Sequence, residues 1–311
     1  MVEIKHRSGT VLLQHGADSL EGADLSAAGL SGADLSNRNL AGARLTHANL
    51  LSSRMSGVTL CGADLSAAFL EGANLAQANL QNADLRRARL IDAILEGADF
   101  SGANLSHANL LNASGMGAIF RGAVLNRAYL DEADLRGADF SRANFECARI
   151  MDTDLSGANL SSANLVEASL QYSILVRTNL TEADLHGAHL KSANLSRALL
   201  NGARLVETSF NNARMDGCSL VGATLSGANM AGANLAGADF SGATLSMTNL
   251  QRANLRRANL CGADFSGVLV LQDAALLGAT YDRFTRWPEG FEPQHRGARL
   301  VLHVALGVAG E

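Results

Sequence analysis

From residue 20 to residue 270, a large apolar residue falls on almost every multiple of five. Leu20, Leu25 and Leu30 open the series and Val270 closes it, all in one frame. Gly115 alone departs from the set Leu, Phe, Met, Ile and Val. Two residues before each centre stands Ala in most units, with Ser, Thr, Val or Cys in others and Asp18 and Arg38 as early exceptions. A repeat this short and this long-lived restricts the chain to a stacked architecture before any other reading is made.

The period excludes a helix. At 100° per residue, successive Leu would step by about 140° and wind around the axis rather than form a stripe. Dozens of interior glycines would weaken a helix further. A strand reading fits. In Ala-x-Leu the first and third side chains share a face and the middle one points away. The next two residues, often Ser-Gly as in Ser31-Gly32, suit a corner that needs permissive backbone angles. Each unit is then a minimal strand plus a corner, with Ala and Leu inside and three residues outside. Such units wind into a solenoid whose backbone pairs with the coils above and below, at roughly 4.8 Å per coil.

The runs Gly22-Ala23-Asp24-Leu25-Ser26, Gly32-Ala33-Asp34-Leu35-Ser36 and Gly72-Ala73-Asn74-Leu75-Ala76 resemble the pentapeptide repeat family, whose consensus is A(D/N)LXX. The resemblance implies an all-β fold: a right-handed quadrilateral β-helix with four pentapeptides per coil. Twenty residues per coil would give about 13 coils and a rod of roughly 60 Å. The expected organisation is an N-terminal cap over 1–16, a short hairpin turning at Ser8-Gly9, then the β-helix over 17–270. A C-terminal cap with a dimerisation tail follows over 271–311.

Composition agrees with a narrow Leu/Ala column: 47% hydrophobic but only 5% aromatic. The net charge of −5 argues against direct nucleic-acid binding, which calls for a basic face. Four scattered Cys do not make a disulfide framework. Cys218 takes an inward, Ala-type position. A reducing compartment fits, the N-terminus lacks an apolar signal core, and no apolar run approaches membrane-spanning length. The cytoplasm is the expected location, with no membrane association.

Folding the register onto four sides sorts the outward residues. One side carries Leu51, Phe69, Ile91, Leu111, Tyr129, Met151 and Tyr172. Outward apolar residues in neighbouring coils form a patch, and patches mark partner contacts. A second side, bearing Glu21, Asp99, Asp139, Glu182 and Asp239, is the most acidic, though Arg121 and Arg142 interrupt it. Phe100, Phe120 and Phe140, twenty residues apart, should stack inside. Thr153, Ser173, Thr178, Thr208 and Thr248 replace inward Ala, and their hydroxyls should bond backbone. Gly115 would leave a hole in the Leu column that Met116 could swing in to fill.

After Val270 the register slips. The tail holds the only Trp and both Pro, in Arg286-Trp287-Pro288-Glu289-Gly290-Phe291-Glu292-Pro293. Proline cannot donate to a ladder and belongs where stacking stops, so Trp287 and Phe291 are expected to cover the last coil. Leu300, Leu302, Val304 and Leu306 then alternate as a strand with one apolar face. An element of this kind joining two rods would resemble the tail-to-tail dimers of some family members.

No convergent chemistry is legible. His47 and His107 share a side but lie three coils apart, about 14 Å, too far for one metal. Gly spacing follows the repeat, so Gly-rich matches carry nothing. No enzyme activity, cofactor or metal is expected. The sequence supports a non-enzymatic rod that binds a protein partner. The alternative implied by the resemblance is a DNA mimic that binds DNA gyrase or topoisomerase IV and protects it from poisons. Its weak point here is the mixed charge of the faces.

Overall fold

The computed structural model describes residues 1–271 and 273–302. Four ladders of parallel bridges run through it, each joining a residue to the one twenty positions on as far as Thr244↔Asp264, and to one 21 or 22 positions on in the last coil. Asp24↔Arg44↔Asp64, Asn49↔Phe69↔Arg89, Arg54↔Asn74↔Ile94 and Asn79↔Asp99↔Ile119 sample the four. One coil is therefore four pentapeptides, and each strand is little more than its bridge residue.

Hydrogen bonding explains the repeat residue by residue. In the unit around Leu70, Phe69 N–H donates to Ala48 O of the previous coil at 3.0 Å, and Leu70 N–H donates to Arg89 O of the next at 2.7 Å. Gly72 N–H donates to Ile91 O at 2.9 Å, and Ala73 N–H turns back to Leu70 O at 3.0 Å. The fifth donor follows the apolar centre and is met by the Asp or Asn before that centre. Ser66 N–H donates to Asp64 Oδ1 at 2.9 Å and Ala76 N–H to Asn74 Oδ1 at 3.0 Å. The preference for Asp or Asn thus answers a backbone donor that would otherwise be unmet.

The corner residue two after each centre has positive φ in almost every unit. Gly meets this at no steric cost. At Gly57 (φ +65°) a Cβ would also lie 2.4 Å from Asn37 Oδ1.

Inside the coil, Ala and Leu-type residues are buried along the rod, with Ala28 and Val268 partly buried near its ends. Phe100, Phe120 and Phe140 stack with ring centroids 4.7 Å apart at each step, and Phe145 meets Phe140 edge-on at 5.1 Å. The inward hydroxyls bond carbonyls 23 residues earlier: Thr153 to Leu130 O at 2.7 Å, Thr178 to Leu155 O at 2.9 Å, Thr208 to Leu185 O at 2.7 Å. Ser173 and Thr248 do the same with Ile150 and Leu225.

Two sequence expectations are corrected. Met116 does not fill the space at Gly115; its side chain stands 49% exposed. Residue 116 is an outward corner position, and the space is closed by Leu135 and Leu95, the centres one coil on either side. A Cβ on Gly115 would come within 3.0 Å of Leu135 Cδ2 and 3.6 Å of Leu95 Cβ. Nor is Val270 an apolar centre. Met247 N–H bonds Gly267 O where the repeat calls for residue 266, and Asn249 bridges Val270. One extra residue after Phe265 moves Val270 to the bridge position and buries Leu271 instead. The in-frame series ends at Phe265.

The ends are closed differently. At the first coils, β1 (Val2–His6) and β2 (Val11–His15) form an antiparallel hairpin, and β1 pairs antiparallel with β3 (Ala33–Asp34). At the last, β4 (Thr280–Tyr281) pairs parallel with β5 (Arg299–Leu300). A 3-10 turn, Pro293–Arg296, precedes β5.

Replacing the middle ring of the stack, Phe120→Ala, should lower stability by about 3–5 kcal/mol. Tyr172→Ala, at an exposed corner, should stay within about 0.5 kcal/mol. Denaturant unfolding of both variants checks this; equal losses would contradict the packing account.

Acid should also destabilise the rod. Hydrogen bonds from Ser26, Ser36 and Ser266 hold the carboxyls of Asp24, Asp34 and Asp264 below the ordinary value of 3.8. Such groups take up protons more readily unfolded than folded. Their contribution is complete above the unfolded pKa and is lost as pH falls through the lower folded value. Melting temperature should be flat down to about pH 5 and fall below about pH 4. In Asp34→Asn with Asp264→Asn, the amide oxygen still accepts the backbone N–H. Neutral stability should hold and the acid decline should become shallower; an unchanged decline would assign the acid sensitivity elsewhere.

Candidate interaction face

The ladder Asn49–Phe69–Arg89–Asn109–Tyr129–Arg149 defines the side on which the apolar patch was expected. Leu51, Phe69, Ile91, Leu111, Tyr129 and Met151 lie along it. Tyr129 is 43% exposed and the others are half-buried. Tyr172 is 53% exposed and sits at the adjoining corner with φ +64°, one coil beyond Met151.

The patch is not a bare strip of hydrocarbon. The Arg89 guanidinium lies over the Phe69 ring, 5.5 Å from its centroid, and its Nε is 2.6 Å from Glu71 Oε1. The same arrangement recurs three coils on. Arg149 lies over the Tyr129 ring at 5.7 Å, with Nη2 2.9 Å from Asp131 Oδ2. Each arginine thus meets both a ring and a carboxylate of the preceding coil, which packs its guanidinium and pairs its charge. Asp131 Oδ1 also accepts Met151 N–H at 2.9 Å, standing in for the Asp/Asn acceptor that Arg149 cannot supply.

Sequence reasoning found the apolar members and missed Glu71, Arg89, Asp131 and Arg149. The register contained the signal. Each Arg stands twenty residues after an aromatic, and each acid two residues after it.

The acidic side is less acidic than its residue list. Asp139 Oδ2 is bound by Arg121 Nε at 2.5 Å, and Asp139 Oδ1 accepts Ser141 N–H at 3.0 Å and Asn159 Nδ2 at 3.2 Å. Asp99 takes Gln81 Nε2 at 2.6 Å and the Ser101 N–H at 2.9 Å. Burial raises the pKa of Asp99 and Asp139, but these donors outweigh it and both carboxyls titrate below 3.8. Asp239 accepts from Ser241 and Asn259, Glu21 from Asn39, and Glu182 from Ser162 Oγ. These carboxylates serve corners and ladders rather than standing free.

At the C-terminal end, Trp287 takes the inward place below Phe265, their rings 5.0 Å apart, and Phe291 stacks beneath it at 5.3 Å. Tyr281 meets Trp287 edge-on at 5.6 Å. Leu300 and Leu302 are 54% and 82% exposed; Val304 and Leu306 lie outside the described residues.

Among the described residues, no cluster of three or more His, Cys, Asp or Glu could hold a metal ion. No helix among them is long and apolar enough to cross a membrane. All four cysteines are free, and burial pushes the Cys218 thiol up to about 12, as suits an inward residue.

The pentapeptide repeats model matches the chain in overlapping stretches from residue 19 to residue 267. Among solved structures, HetL, a pentapeptide repeat protein involved in heterocyst differentiation regulation from the cyanobacterium Nostoc sp. strain PCC 7120, is 32% identical. The match covers 80% of this chain and 91% of HetL, with a TM-score of 0.37. A pentapeptide repeat protein of the Arabidopsis thaliana thylakoid lumen is 31% identical over 31% of this chain and 67% of its own, TM-score 0.30. A trypsin-treated form of QnrB1, a plasmid-mediated fluoroquinolone resistance protein, is 21% identical over 61% of this chain and 90% of its own, TM-score 0.33. No curated protein matches the chain. With the repeat model matched over most of its length, the chain belongs to the pentapeptide repeat family.

Proposed function

We propose that the protein is a non-enzymatic interaction rod, right-handed and about thirteen coils long, that presents the Phe69/Tyr129 side to a protein partner in the cytoplasm. One observation carries this reading. Two aromatic rings point outward, each braced by its own arginine–carboxylate pair. Aromatic and Arg side chains are the residues that dominate contact energetics when they sit in ordered, partly desolvated places. Nothing in the coil's own hydrogen bonding calls for them, since Asp or Asn serves the bridge position better.

The DNA-mimic alternative needs a continuous field of unpaired carboxylates. The acidic side instead spends its carboxylates on Arg121, Ser101, Ser241 and Asn259. A gyrase supercoiling assay with and without a poison is expected to show neither inhibition nor protection.

A photo-crosslinking residue placed at Ile91 or Leu111 should trap a partner protein in cells. The same residue at Ser101 or Ser161, on the acidic side, should not. Phe69→Ser with Tyr129→Ser should abolish the adducts. Equal crosslinking from both sides, or none from position 91 or 111, would remove this face as the binding surface.

A further inference from the structure

The braced ring is one part of a larger recurrence. Shifting the sequence by 60 residues carries His47 to His107, Leu51 to Leu111, Phe69 to Tyr129, Glu71 to Asp131, Arg89 to Arg149, Ile91 to Met151 and Asp92 to Asp152. All of these lie on, or at the two corners of, one side. Most outward positions elsewhere do not follow: Arg54 becomes Ser114, Cys61 becomes Arg121, Asp64 becomes Val124 and Gln77 becomes Gly137, although Ser101 and Asn104 recur as Ser161 and Asn164. The repetition is therefore densest on this face, although its corner residues Arg87, Arg127 and Glu132 stand outside it. Its translation is three coils, about 14 Å.

That spacing selects among partners. An α-helix lying along the rod meets that spacing only approximately, about 15 Å over the ten residues from an a position to the next heptad's d position. A second rod of the same coil rise matches at every coil.

Charge selects further. The corner preceding the face carries Arg87, His107 and Arg127, with Glu146 in the last of the six coils; the corner following it carries Asp92, Glu132 and Asp152. All of these are exposed. Arg87, Arg127 and Glu132 enter no ion pair among the described residues, and Asp92 Oδ1 accepts a hydrogen bond from Asn112 Nδ2 at 2.5 Å. A face with a cationic edge and an anionic edge complements its own copy when two rods lie parallel, related by a two-fold axis along their length. Antiparallel rods would set like edges together. Arg87 and Asp92 belong to the same coil, as do Arg127 and Glu132. In-register pairing thus sets each arginine opposite the acid of the other copy, twice over by symmetry.

We infer that this face seats a second copy of the chain, parallel and in register, with Arg87 facing Asp92 and Arg127 facing Glu132 across the contact. This rests on the reading of the face as an interaction surface and names its occupant. Six coils about 29 Å long and a side about 16 Å wide bury roughly 900 Å² in total, the size of a weak, reversible association.

Sedimentation velocity of the full chain from about 1 to 200 µM tests the inference. The native protein should pass from monomer to dimer in that range, with association weaker at high salt. Arg127→Glu and Glu132→Arg should each weaken dimerisation by about tenfold or more, and the double exchange should recover it to within about threefold. Circular dichroism should show all three variants folded, since both positions are outward corners. A native chain that stays monomeric at 200 µM, a dimer that neither single variant affects, or a double exchange without recovery would each overturn the proposal. If the chain is monomeric while adducts to another protein still form from position 91, the interaction reading stands and only the second copy is excluded.

Discussion

Everything in this molecule follows from giving each backbone N–H a partner within a five-residue budget. Two donors must reach the coil above, one the coil below, and one turns back to its own apolar centre. The fifth lies at a corner where no carbonyl is within reach, and a side-chain oxygen two residues earlier accepts it. Buried or crowded backbone groups left unmatched would cost about as much as each bond contributes. The A(D/N)LXX pattern is the residue-level solution. Ala is small enough to let the corner close, Asp or Asn caps the corner donor, and Leu fills the axis.

This division of labour leaves most outward side chains free of structural duty. Leu centres and inward Ala cannot change without a cavity or a clash. The bridge and corner positions can, provided the corner accepts positive φ. Arg87, Arg127 and Glu132 adopt it with φ of 61°, 56° and 61°, a conformation that costs an L-residue about 1–2 kcal/mol. Many other non-Gly residues along the rod, such as Gln77, Arg142 and Glu207, take the same conformation, so the corner tolerates varied side chains. Phe69 and Tyr129, by contrast, displace a capping Asp or Asn from the bridge. Departures from the most stable residue on a surface are where partner binding leaves its mark.

What could be read from sequence was set by what the period encodes. Alternation places every side chain inward or outward and fixes which residues stack, so the Phe100–Phe120–Phe140 column and the carbonyl-bound hydroxyls were legible. The patch along Leu51 to Met151 was legible for the same reason. The period is silent where it is broken. One residue added after Phe265 left Val270 on the numerical frame while moving it off the inward position, as the bridge Asn249↔Val270 and the buried Leu271 reveal. Met116 illustrates a second limit: a void in a column is adjacent to the centres above and below it, not to the next residue along the chain. Side-chain pairing was the third. Arg89 is distant from Glu71 in sequence terms, yet the coil places them on neighbouring rungs, and a reading by residue type alone took only the apolar members.

Rigidity gives the face its meaning. Every coil is bonded to the next along four ladders, so the two modules cannot adjust their separation without breaking a continuous set of backbone bonds. A partner must therefore arrive with the spacing already built in, and the cost of ordering the surface is borne on folding rather than on binding. Flexible peptides could conform to either module alone but would gain little from the second, because spanning between them fixes extra chain. A partner with a matching rise meets both modules with no such cost. The pairing of opposite corners then fixes direction, because reversing one rod brings arginine to arginine. Spacing chooses the kind of partner and edge charge chooses its orientation, and both are set by the same twenty-residue coil.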